Sequence, residues 1–414
     1  MALNGSGPIS LAGATTGESI ALELGETATG IRSLNDTVVR DLAEVASGSI
    51  VMPTNFWGKA SITPASIWSW GVGTAGRLGQ GNTTNYSSPV QVGALTTWAV
   101  ASGGYAFTLM IKTDGTFWGT GNNQYGQLAL GDTTHRSSPV QIGALTTWLK
   151  AASGKYHSVA TKTDGTLWAF GRNQYGELGD GTASARSSPV QVGALTTWNE
   201  VACGVDFTLA TKTDGTLWAW GRSNFGQLGQ GNTTTYSSPV QVGTLTTWDK
   251  IGTGADHSLG SKTDGTLWSW GYNYYGQLGD ITRTNRNSPV QVGALTTWDK
   301  VTGGRWFTLA TKTNGQVWAW GRNTKGQLGQ GNSTTYSSPV QVGTLTTWSN
   351  IAAGYEFCMA TKTNGQLWAW GYNPAGELGQ GNTTDRSSPV QVGALTTWLT
   401  ISCGEVHTFG TIEA

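Results

Sequence analysis

Short runs of alternating apolar and polar residues follow one another along most of the chain, with glycine-rich segments between them. Between residues 189 and 221 the runs are "PVQVG", "TTWNEVACG", "FTLATKT" and "GTLWAWG". β-Branched and aromatic residues at a period of two, bounded by turn residues, predict four strands. The pair Asp214 and Gly215 between the last two runs predicts a two-residue type I′ hairpin turn.

The same four-strand pattern recurs at a period of 50 residues without insertion or deletion. "SSPVQ" or a close variant occurs at 87, 137, 187, 237, 287, 337 and 387, and "LTTW" ends at Trp98 and at six further tryptophans down to Trp398. A unit of four short strands repeated seven times is typical of the blades of a β-propeller.

The two ends of the chain each hold part of a unit. The first unit begins with "SIWSWG" at 66–71, whereas the last stops after "ISCGEVHTFGTI" and lacks the matching phrase. Pairing of the N-terminal and C-terminal strands would complete a blade and remove the open edges of the array. We therefore predict an all-β fold, a closed seven-bladed β-propeller over residues 62–414, with a separate N-terminal segment at 1–61.

Composition agrees with this architecture and narrows the function classes. The chain has 414 residues with 61 glycines, 21 tryptophans and zero formal net charge. Nineteen tryptophans recur at fixed places in the repeat and are expected to fill the wedges between blades together with Leu228 and its equivalents. Without a net charge, a signal peptide or a long apolar stretch, we expect neither nucleic-acid binding nor membrane insertion.

Other residue types give few signs of chemistry. The three cysteines form no metal or disulfide pattern and are interpreted as small buried thiols. The glycine-rich phrase "GRSNFGQLGQG" lacks a phosphate-loop signature and recurs in the repeat, so we interpret it as structural. His157, His257 and His407 share a place that phenylalanine occupies in other units, which favours packing over metal binding. We therefore expect no catalytic residue, no metal and no cofactor.

The order "WGxNxxGQLG", "PVQV", "VAxGxxFTLATKTDG" and "WAWG" over residues 64–413 resembles the regulator-of-chromosome-condensation repeat. The resemblance implies a seven-bladed propeller but leaves the function open. Members include a nucleotide exchange factor that binds chromatin, a plant UV-B photoreceptor and many interaction modules. This chain has no basic tail, and only Trp306 lies in a "GxxF/H" segment, so neither of the first two activities is expected.

The first 61 residues resemble the N-terminal segment of structural and tail proteins of tailed bacteriophages, through "SGPISLAG", "SLNDTVVRDLAEVASGSI" and "FWGKA". The resemblance implies a docking segment that joins the propeller to other virion proteins and a location in the virion. Apolar residues at helical spacing predict a short helix, Thr15 with Glu18 predicts the start of a second one that ends near Gly25, and an aromatic pair closes the segment. The docking candidates are Leu34, Val38, Leu42, Val45, Phe56 and Trp57.

Residues that depart from the repeat are the candidates for binding. The "GxxF/H" segments are expected to meet at one mouth of the propeller, where they would present Tyr105, Lys155, Tyr156, Asp206, Asp256, Arg305, Trp306, Tyr355, Glu356 and Glu405. A second varying set is expected on loops: Tyr86, Arg136, Arg186, Tyr236, Arg286, Tyr336 and Arg386. Tyrosine, tryptophan and arginine are the residue types that anchor interfaces.

Three functions from different classes remain open at this point. The first is a phage virion protein of the tail, baseplate or fibre whose propeller binds a host-surface glycan or a protein. The second is an architectural decoration protein without a ligand, assembled with itself or with other virion proteins. The third is an enzyme that degrades surface glycans with the carboxylates at the mouth.

Overall fold

The computed structural model describes residues 65–413, and the predicted docking segment with its helices and its six candidate residues lies outside them. Twenty-eight strands account for the regular structure of these residues, together with one 3₁₀ turn at Thr74–Gly76. In chain order the strands are β1 (Ala65–Gly71), β2 (Tyr86–Gln91), β3 (Trp98–Gly103), β4 (Phe107–Lys112), β5 (Phe117–Gly121), β6 (Arg136–Gln141), β7 (Trp148–Ser153), β8 (His157–Lys162), β9 (Leu167–Gly171), β10 (Arg186–Gln191), β11 (Trp198–Cys203), β12 (Phe207–Lys212), β13 (Leu217–Gly221), β14 (Tyr236–Gln241), β15 (Trp248–Thr253), β16 (His257–Lys262), β17 (Leu267–Gly271), β18 (Arg286–Gln291), β19 (Trp298–Gly303), β20 (Phe307–Lys312), β21 (Val317–Gly321), β22 (Tyr336–Gln341), β23 (Trp348–Ala353), β24 (Phe357–Lys362), β25 (Leu367–Gly371), β26 (Arg386–Gln391), β27 (Trp398–Cys403) and β28 (His407–Glu413).

The strands form seven blades of four antiparallel strands each, as the repeat predicts. A representative blade has the order β11, β12, β13, β14, with Phe207 opposite Gly221 and Thr211 opposite Leu217. The first strand of each blade lies nearest the axis and the fourth lies outermost. The fourth strands contain the "SSPVQ" phrase, and proline is tolerated there because an outer edge strand leaves its N–H side unpaired.

Strands from both ends of the described chain build the closing blade. β27 and β28 supply its inner half, and β1 and β2 supply its outer half. β1 and β28 pair over seven residues, from Ala65 opposite Glu413 to Gly71 opposite His407. This register equals that of Phe207 and Gly221 inside an ordinary blade. The blade geometry is therefore the same although its strands come from opposite ends of the chain.

The predicted hairpin turn has a different form. A type I′ turn requires positive φ at both central residues, but in the turn after β12 only Gly215 has a positive φ, of 77°. The Gly215 N–H donates to the Lys212 carbonyl and the Lys212 N–H donates to the Thr216 carbonyl, which defines a type I turn with a glycine bulge. The Asp214 carboxylate accepts from the N–H and hydroxyl of Thr216, and this Asx-type arrangement holds Asp214 at negative φ.

The core lies between neighbouring blades. Trp270 is fully buried and packs with Leu228 of the preceding blade and with Trp248 of its own blade, and its indole N–H donates to the Gln227 carbonyl at 2.9 Å. Trp218 is half-buried, and the Lys212 ammonium lies 3.6 Å from its ring centroid. The predicted interblade role is confirmed for Trp270 and Leu228, whereas the contact of Trp218 with Lys212 lies within one blade. Among residues 65–413, no helix is long and apolar enough to cross a membrane.

Candidate functional site

The turns between the first two strands of each blade surround the axis of the propeller. In each turn the first residue is a glycine whose N–H donates to the carbonyl three residues later, as from Gly204 to Phe207 at 2.9 Å. A Cβ at Gly204 would lie 1.9 Å from the Phe207 ring, so only glycine fits there. The two following side chains, which differ from blade to blade, are thereby held in fixed places.

A ring of seven backbone hydrogen bonds joins these turns from blade to blade. The Tyr355 N–H donates to the Glu405 carbonyl at 2.9 Å, and the Glu405 N–H donates to the Gly104 carbonyl at 3.1 Å across the closing junction. The other five bonds run from Tyr105 to Gly154, Lys155 to Val205, Val205 to Ala255, Ala255 to Gly304, and Arg305 to Tyr355. The mouth therefore has a rigid frame made of backbone.

An axial cavity of about 330 Å³ opens inside this frame, and all seven blades line it. Of the ten residues predicted to share a mouth, seven line the cavity: Tyr105, Lys155, Asp256, Arg305, Trp306, Tyr355 and Glu405. We call this set the mouth residues. The structure thus brings together most of the ten residues predicted to share the mouth.

The other three predicted residues have different surroundings. Asp206 is only 6% exposed and forms ion pairs with Arg172 and, at 3.2 Å, with Arg222. Glu356 is 9% exposed and forms an ion pair with Arg322. Asp206 and Glu356 therefore do not line the axial cavity, and arginines from the glycine-rich segments pair with both carboxylates.

Tyr156 lies in an aromatic cluster beside the mouth. Its ring centroid is 5.5 Å from that of Tyr105 and 5.1 Å from that of Tyr125. The Lys155 ammonium lies 5.1 Å from the Tyr105 centroid and 5.2 Å from the Tyr156 centroid. On another side of the mouth, the Arg305 guanidinium lies 3.6 Å from the Trp306 centroid and 4.2 Å from the Tyr355 centroid. Each cation is therefore held beside two aromatic rings.

The glycine-rich segments add aromatic residues that the sequence interpretation missed. Tyr275 contacts Trp306 at 5.2 Å between centroids, and Phe225 contacts Tyr272 at 4.7 Å. Tyr274, which is 62% exposed, stacks on Tyr272. The aromatic surface at the mouth is therefore wider than the "GxxF/H" segments alone. The sequence signal for these residues was the variation at three places within an otherwise constant glycine-rich phrase.

Burial at the mouth shifts the acidic groups toward their neutral forms. Burial raises the pKa of Glu405 to about 7, with Arg77 and Lys155 acting in the opposite direction. Burial likewise raises the pKa of Asp256. The Tyr105 pKa is also raised, mainly by the nearby Glu405 carboxylate. At neutral pH this site therefore offers hydroxyl and carboxyl donors as well as acceptors.

Three histidines occupy the repeat position that is phenylalanine in the other blades, and all three are buried between blades. The Nε2 atoms of His157, His257 and His407 lie 2.9–3.1 Å from the hydroxyls of Thr208, Thr308 and Thr108 in the next blade. Burial lowers the pKa of His157 to about 4 and that of His257 to about 3. Each ring therefore stays neutral and acts as an interblade packing residue, as predicted. Residues 65–413 contain no cluster of three side chains suited to a metal ion.

The second varying set does not lie on loops. Its members are the first residues of the seven outer strands, and most are tied to the preceding turn. Arg286 pairs with Asp280 at 2.7 Å, and Arg186 pairs with Asp180 in the same way. The Tyr236 hydroxyl accepts from Asn232 at 3.4 Å. The residue at this place changes together with the turn residue to which it bonds. Much of the variation therefore has a local structural cause.

The cysteine prediction is correct for one residue of three. Cys358 is fully buried, and its thiol donates to the Gln327 carbonyl at 3.2 Å. Cys203 and Cys403 are half-buried and line the axial cavity, because both end an innermost strand. All three thiols are unbridged.

Comparison with known proteins defines the class to which this propeller belongs. The regulator of chromosome condensation (RCC1) repeat model matches seven times, at residues 65–111, 114–161, 164–211, 214–260, 264–311, 314–361 and 364–410. The chain therefore belongs to the RCC1 repeat family. No curated protein matches it in sequence.

Solved structures share the fold at low sequence identity. Human WBSCR16 is 23% identical with a TM-score of 0.77, over 84% of this chain and 99% of that one. Prp20p of Saccharomyces cerevisiae, described with its binding to Gsp1p and histones, is 20% identical with a TM-score of 0.77, over 86% and 93% of the two chains. Yeast RCC1 (Prp20) bound to Kap60 is 21% identical with a TM-score of 0.76, over 86% and 90%. These likenesses establish the fold and leave the ligand open.

Proposed function

We propose that this chain is a binding protein whose ligand is held by the mouth residues. The observation that carries the proposal is the backbone frame: seven hydrogen-bonded turns fix the mouth, and each presents different side chains to one cavity. A rigid frame with varied aromatic, cationic and acidic groups lowers the conformational entropy lost on binding. Related propellers described with Gsp1p, histones and Kap60 support protein binding by this fold.

The setting that we propose is a phage virion, in the tail, baseplate or fibre. Residues 1–61 would dock onto other virion proteins, and the propeller would bind a host-surface glycan or protein through Arg305, Trp306 and Tyr355. The support for the setting is the resemblance of the N-terminal segment to that of phage structural proteins. Mass spectrometry of purified particles tests it: the chain should be present at a fixed stoichiometry, and its absence would refute a virion role.

Competition for adsorption tests the binding role within that setting. Purified full-length chain, added to host cells before the phage, should slow adsorption in proportion to its concentration. Periodate treatment of the cells should remove this effect if the ligand is a glycan, and protease treatment should remove it if the ligand is a protein. If the chain is present in particles but competes on no cell surface, the decoration role is correct instead.

Hydrolysis of surface glycans is the second candidate, and the pKa of Glu405 favours it. A carboxyl with a pKa near 7 is suited to a general acid, and Asp256 lines the same cavity. Two carboxyl groups are the minimum for this chemistry. Release of reducing sugar from host envelope by the wild-type chain, abolished in Glu405→Gln, would establish the enzyme. An inactive wild-type chain that still binds envelope would establish the binding protein.

A further inference from the structure

One interblade junction shows how the repeat satisfies a buried carboxylate. Glu177 is fully buried in a glycine-rich segment, and its Oε2 accepts from the Tyr175 N–H at 2.6 Å. Its Oε1 accepts from Nε of Arg172 at 3.0 Å. The same guanidinium lies 5.1 Å from the Tyr156 ring centroid and pairs with Asp206 of the next blade. A guanidinium between a carboxylate and an aromatic ring thus completes this junction.

The corresponding carboxylate two hundred residues later lacks that cation. Glu377 is 1% exposed, and its Oε2 accepts from the Ala375 N–H at 2.8 Å, but its Oε1 has no hydrogen-bond partner. Tyr372 stands where the other junction has Arg172, and Val406 stands where it has Asp206. A buried carboxylate oxygen without a partner carries the full cost of its desolvation.

A cavity of about 350 Å³ adjoins Glu377 at this junction. Val72, Phe357, Tyr372 and Val406 supply its apolar and aromatic lining. The volume far exceeds the ~30 Å³ that one water occupies in the liquid. Tyr105, Tyr355 and Glu405 line both this cavity and the axial one. A group at the mouth can therefore extend toward Glu377.

Arg77 and Arg322, two of the cations nearest this cavity, are already bonded, and the Lys325 ammonium lies 4.5 Å from the ring centroid of Tyr372. Arg77 donates to the Thr74 carbonyl at 3.0 Å, to the Thr74 hydroxyl at 2.7 Å and to the Tyr105 carbonyl at 3.2 Å, so all its terminal nitrogens and Nε are used. Arg322 is paired with Glu356. Of the three carboxyl groups that line this cavity, Glu356 is paired with Arg322, whereas Glu377 and Glu405 form no ion pair among residues 65–413. Of these two, Glu377 is the one with a buried oxygen that lacks a hydrogen-bond partner.

We propose that this cavity binds a guanidinium group on an aliphatic stem, such as an arginine side chain of a partner protein. Glu377 Oε1 accepts from the guanidinium, as Glu177 Oε1 accepts from Arg172. Tyr372 packs against the guanidinium, and Val72 and Val406 cover the stem. The site shares Tyr105, Tyr355 and Glu405 with the mouth residues that carry the proposed function, but its acceptor, Glu377, is not one of them.

Calorimetric titration of the full chain with N-acetylarginine methylamide tests the site. N-acetylcitrulline methylamide, which has the same shape without the charge, is the matched control. We expect saturable binding of the arginine compound at millimolar concentrations and at least about tenfold weaker binding of the citrulline compound, because a charged hydrogen bond is lost. Equal affinity for the two compounds, or no binding of the arginine compound, would overturn the proposal.

Variants at the two equivalent carboxylates show whether loss of binding is specific to Glu377 or follows from removing any buried carboxylate at this place in the repeat. Glu377→Gln should weaken binding at least about tenfold. The chain should still fold, because Gln127, Gln227, Gln277 and Gln327 occupy the same place in other blades. Glu177→Gln, where the oxygen already has its arginine, should keep wild-type affinity. Equal loss in both variants, or no loss in Glu377→Gln, would contradict a guanidinium site at Glu377.

A third variant fills the site from within the chain. Tyr372→Arg places an arginine at the position that Arg172 has relative to Glu177. We expect it to raise the melting temperature and to abolish binding of N-acetylarginine methylamide. The melting temperature provides a readout independent of any ligand. Unchanged affinity in Tyr372→Arg would show that the compound binds elsewhere, and the proposal would fail.

Discussion

The indole N–H of Trp70 donates to the backbone carbonyl of Glu377 at 2.9 Å, although 307 residues separate them in the chain. Trp220 makes the same bond to Glu177 at 3.0 Å within the continuous part of the ring. The junction between the closing blade and the blade before it therefore keeps the indole hydrogen bond of an ordinary junction. Strands from the two ends of the described chain form a single interface there.

Trp70→Ala tests how much that junction contributes to stability. The side chain is fully buried, so its removal should lower the free energy of unfolding by about 3–5 kcal/mol through lost burial and a remaining cavity. Trp70→Phe should cost much less, because Phe170 fills the same place in another blade. Urea denaturation measures both. Wild-type stability in Trp70→Ala would mean that the ends of the chain do not hold the ring together.

Alanine substitutions at two glycines with positive φ distinguish the cost of backbone strain from the cost of a steric clash. A Cβ at Gly215 would lie 2.1 Å from the Thr246 carbonyl oxygen, whereas a Cβ at Gly243 meets nothing within 4 Å. Gly243→Ala should cost only the left-handed conformation, about 1–2 kcal/mol. Gly215→Ala carries that strain and a backbone clash, so it should cost clearly more. Equal destabilisation of the two variants, compared by urea denaturation, would contradict the turn geometry described above.

Because its histidines are buried, we expect the folded protein to lose stability in mild acid. Burial lowers the pKa of His257 from 6.5 to about 3, so below pH 6.5 the unfolded chain binds a proton that the folded chain excludes. The stability that neutral His257 contributes is therefore complete above pH 6.5 and falls between pH 6.5 and about 3. The slope is about 1.4 kcal/mol per pH unit within that window.

His257→Phe provides the comparison for this prediction. Phe207 and Phe307 occupy the same place in the flanking blades, so the variant should fold. The free energy of unfolding, measured from pH 7 to pH 4, should fall less steeply in His257→Phe than in the wild type. Carboxylates titrate in both proteins, and only the difference between the two curves reports on His257. Parallel curves would show that His257 does not remain neutral on acidification.

The sequence predicted the fold because its period and its ends are explicit. A repeat without insertions places Trp98 and Trp398 in equivalent blades, and the half-units at 66–71 and at the C-terminus predict the pairing of β1 with β28. The grouping of Tyr105, Arg305 and Glu405 followed from their equal position in the repeat. These predictions depended only on strand spacing.

Contacts between neighbouring blades were harder to predict. Asp206 binds Arg172, which lies 34 residues earlier in another blade, and strand spacing gives no information on such a contact. For the same reason, strand spacing could not predict that Glu377 Oε1 lacks a hydrogen-bond partner where Tyr372 replaces an arginine. Asp214 was assigned the wrong turn because its carboxylate bonds to Thr216, and this local bond outweighs the preference of Asp-Gly pairs for type I′.

Equilibrium binding of the full chain to host cell envelope tests most directly whether the mouth is the binding surface. The Arg305→Ala, Trp306→Ala double variant removes the cation and the ring that it covers, and Arg386→Ala removes one positive charge from an outer strand. We predict that the double variant loses at least about tenfold in affinity, as expected for anchor residues at the centre of an interface, whereas Arg386→Ala binds as the wild type does. Wild-type affinity in the double variant, with its fold intact by circular dichroism, would contradict the account.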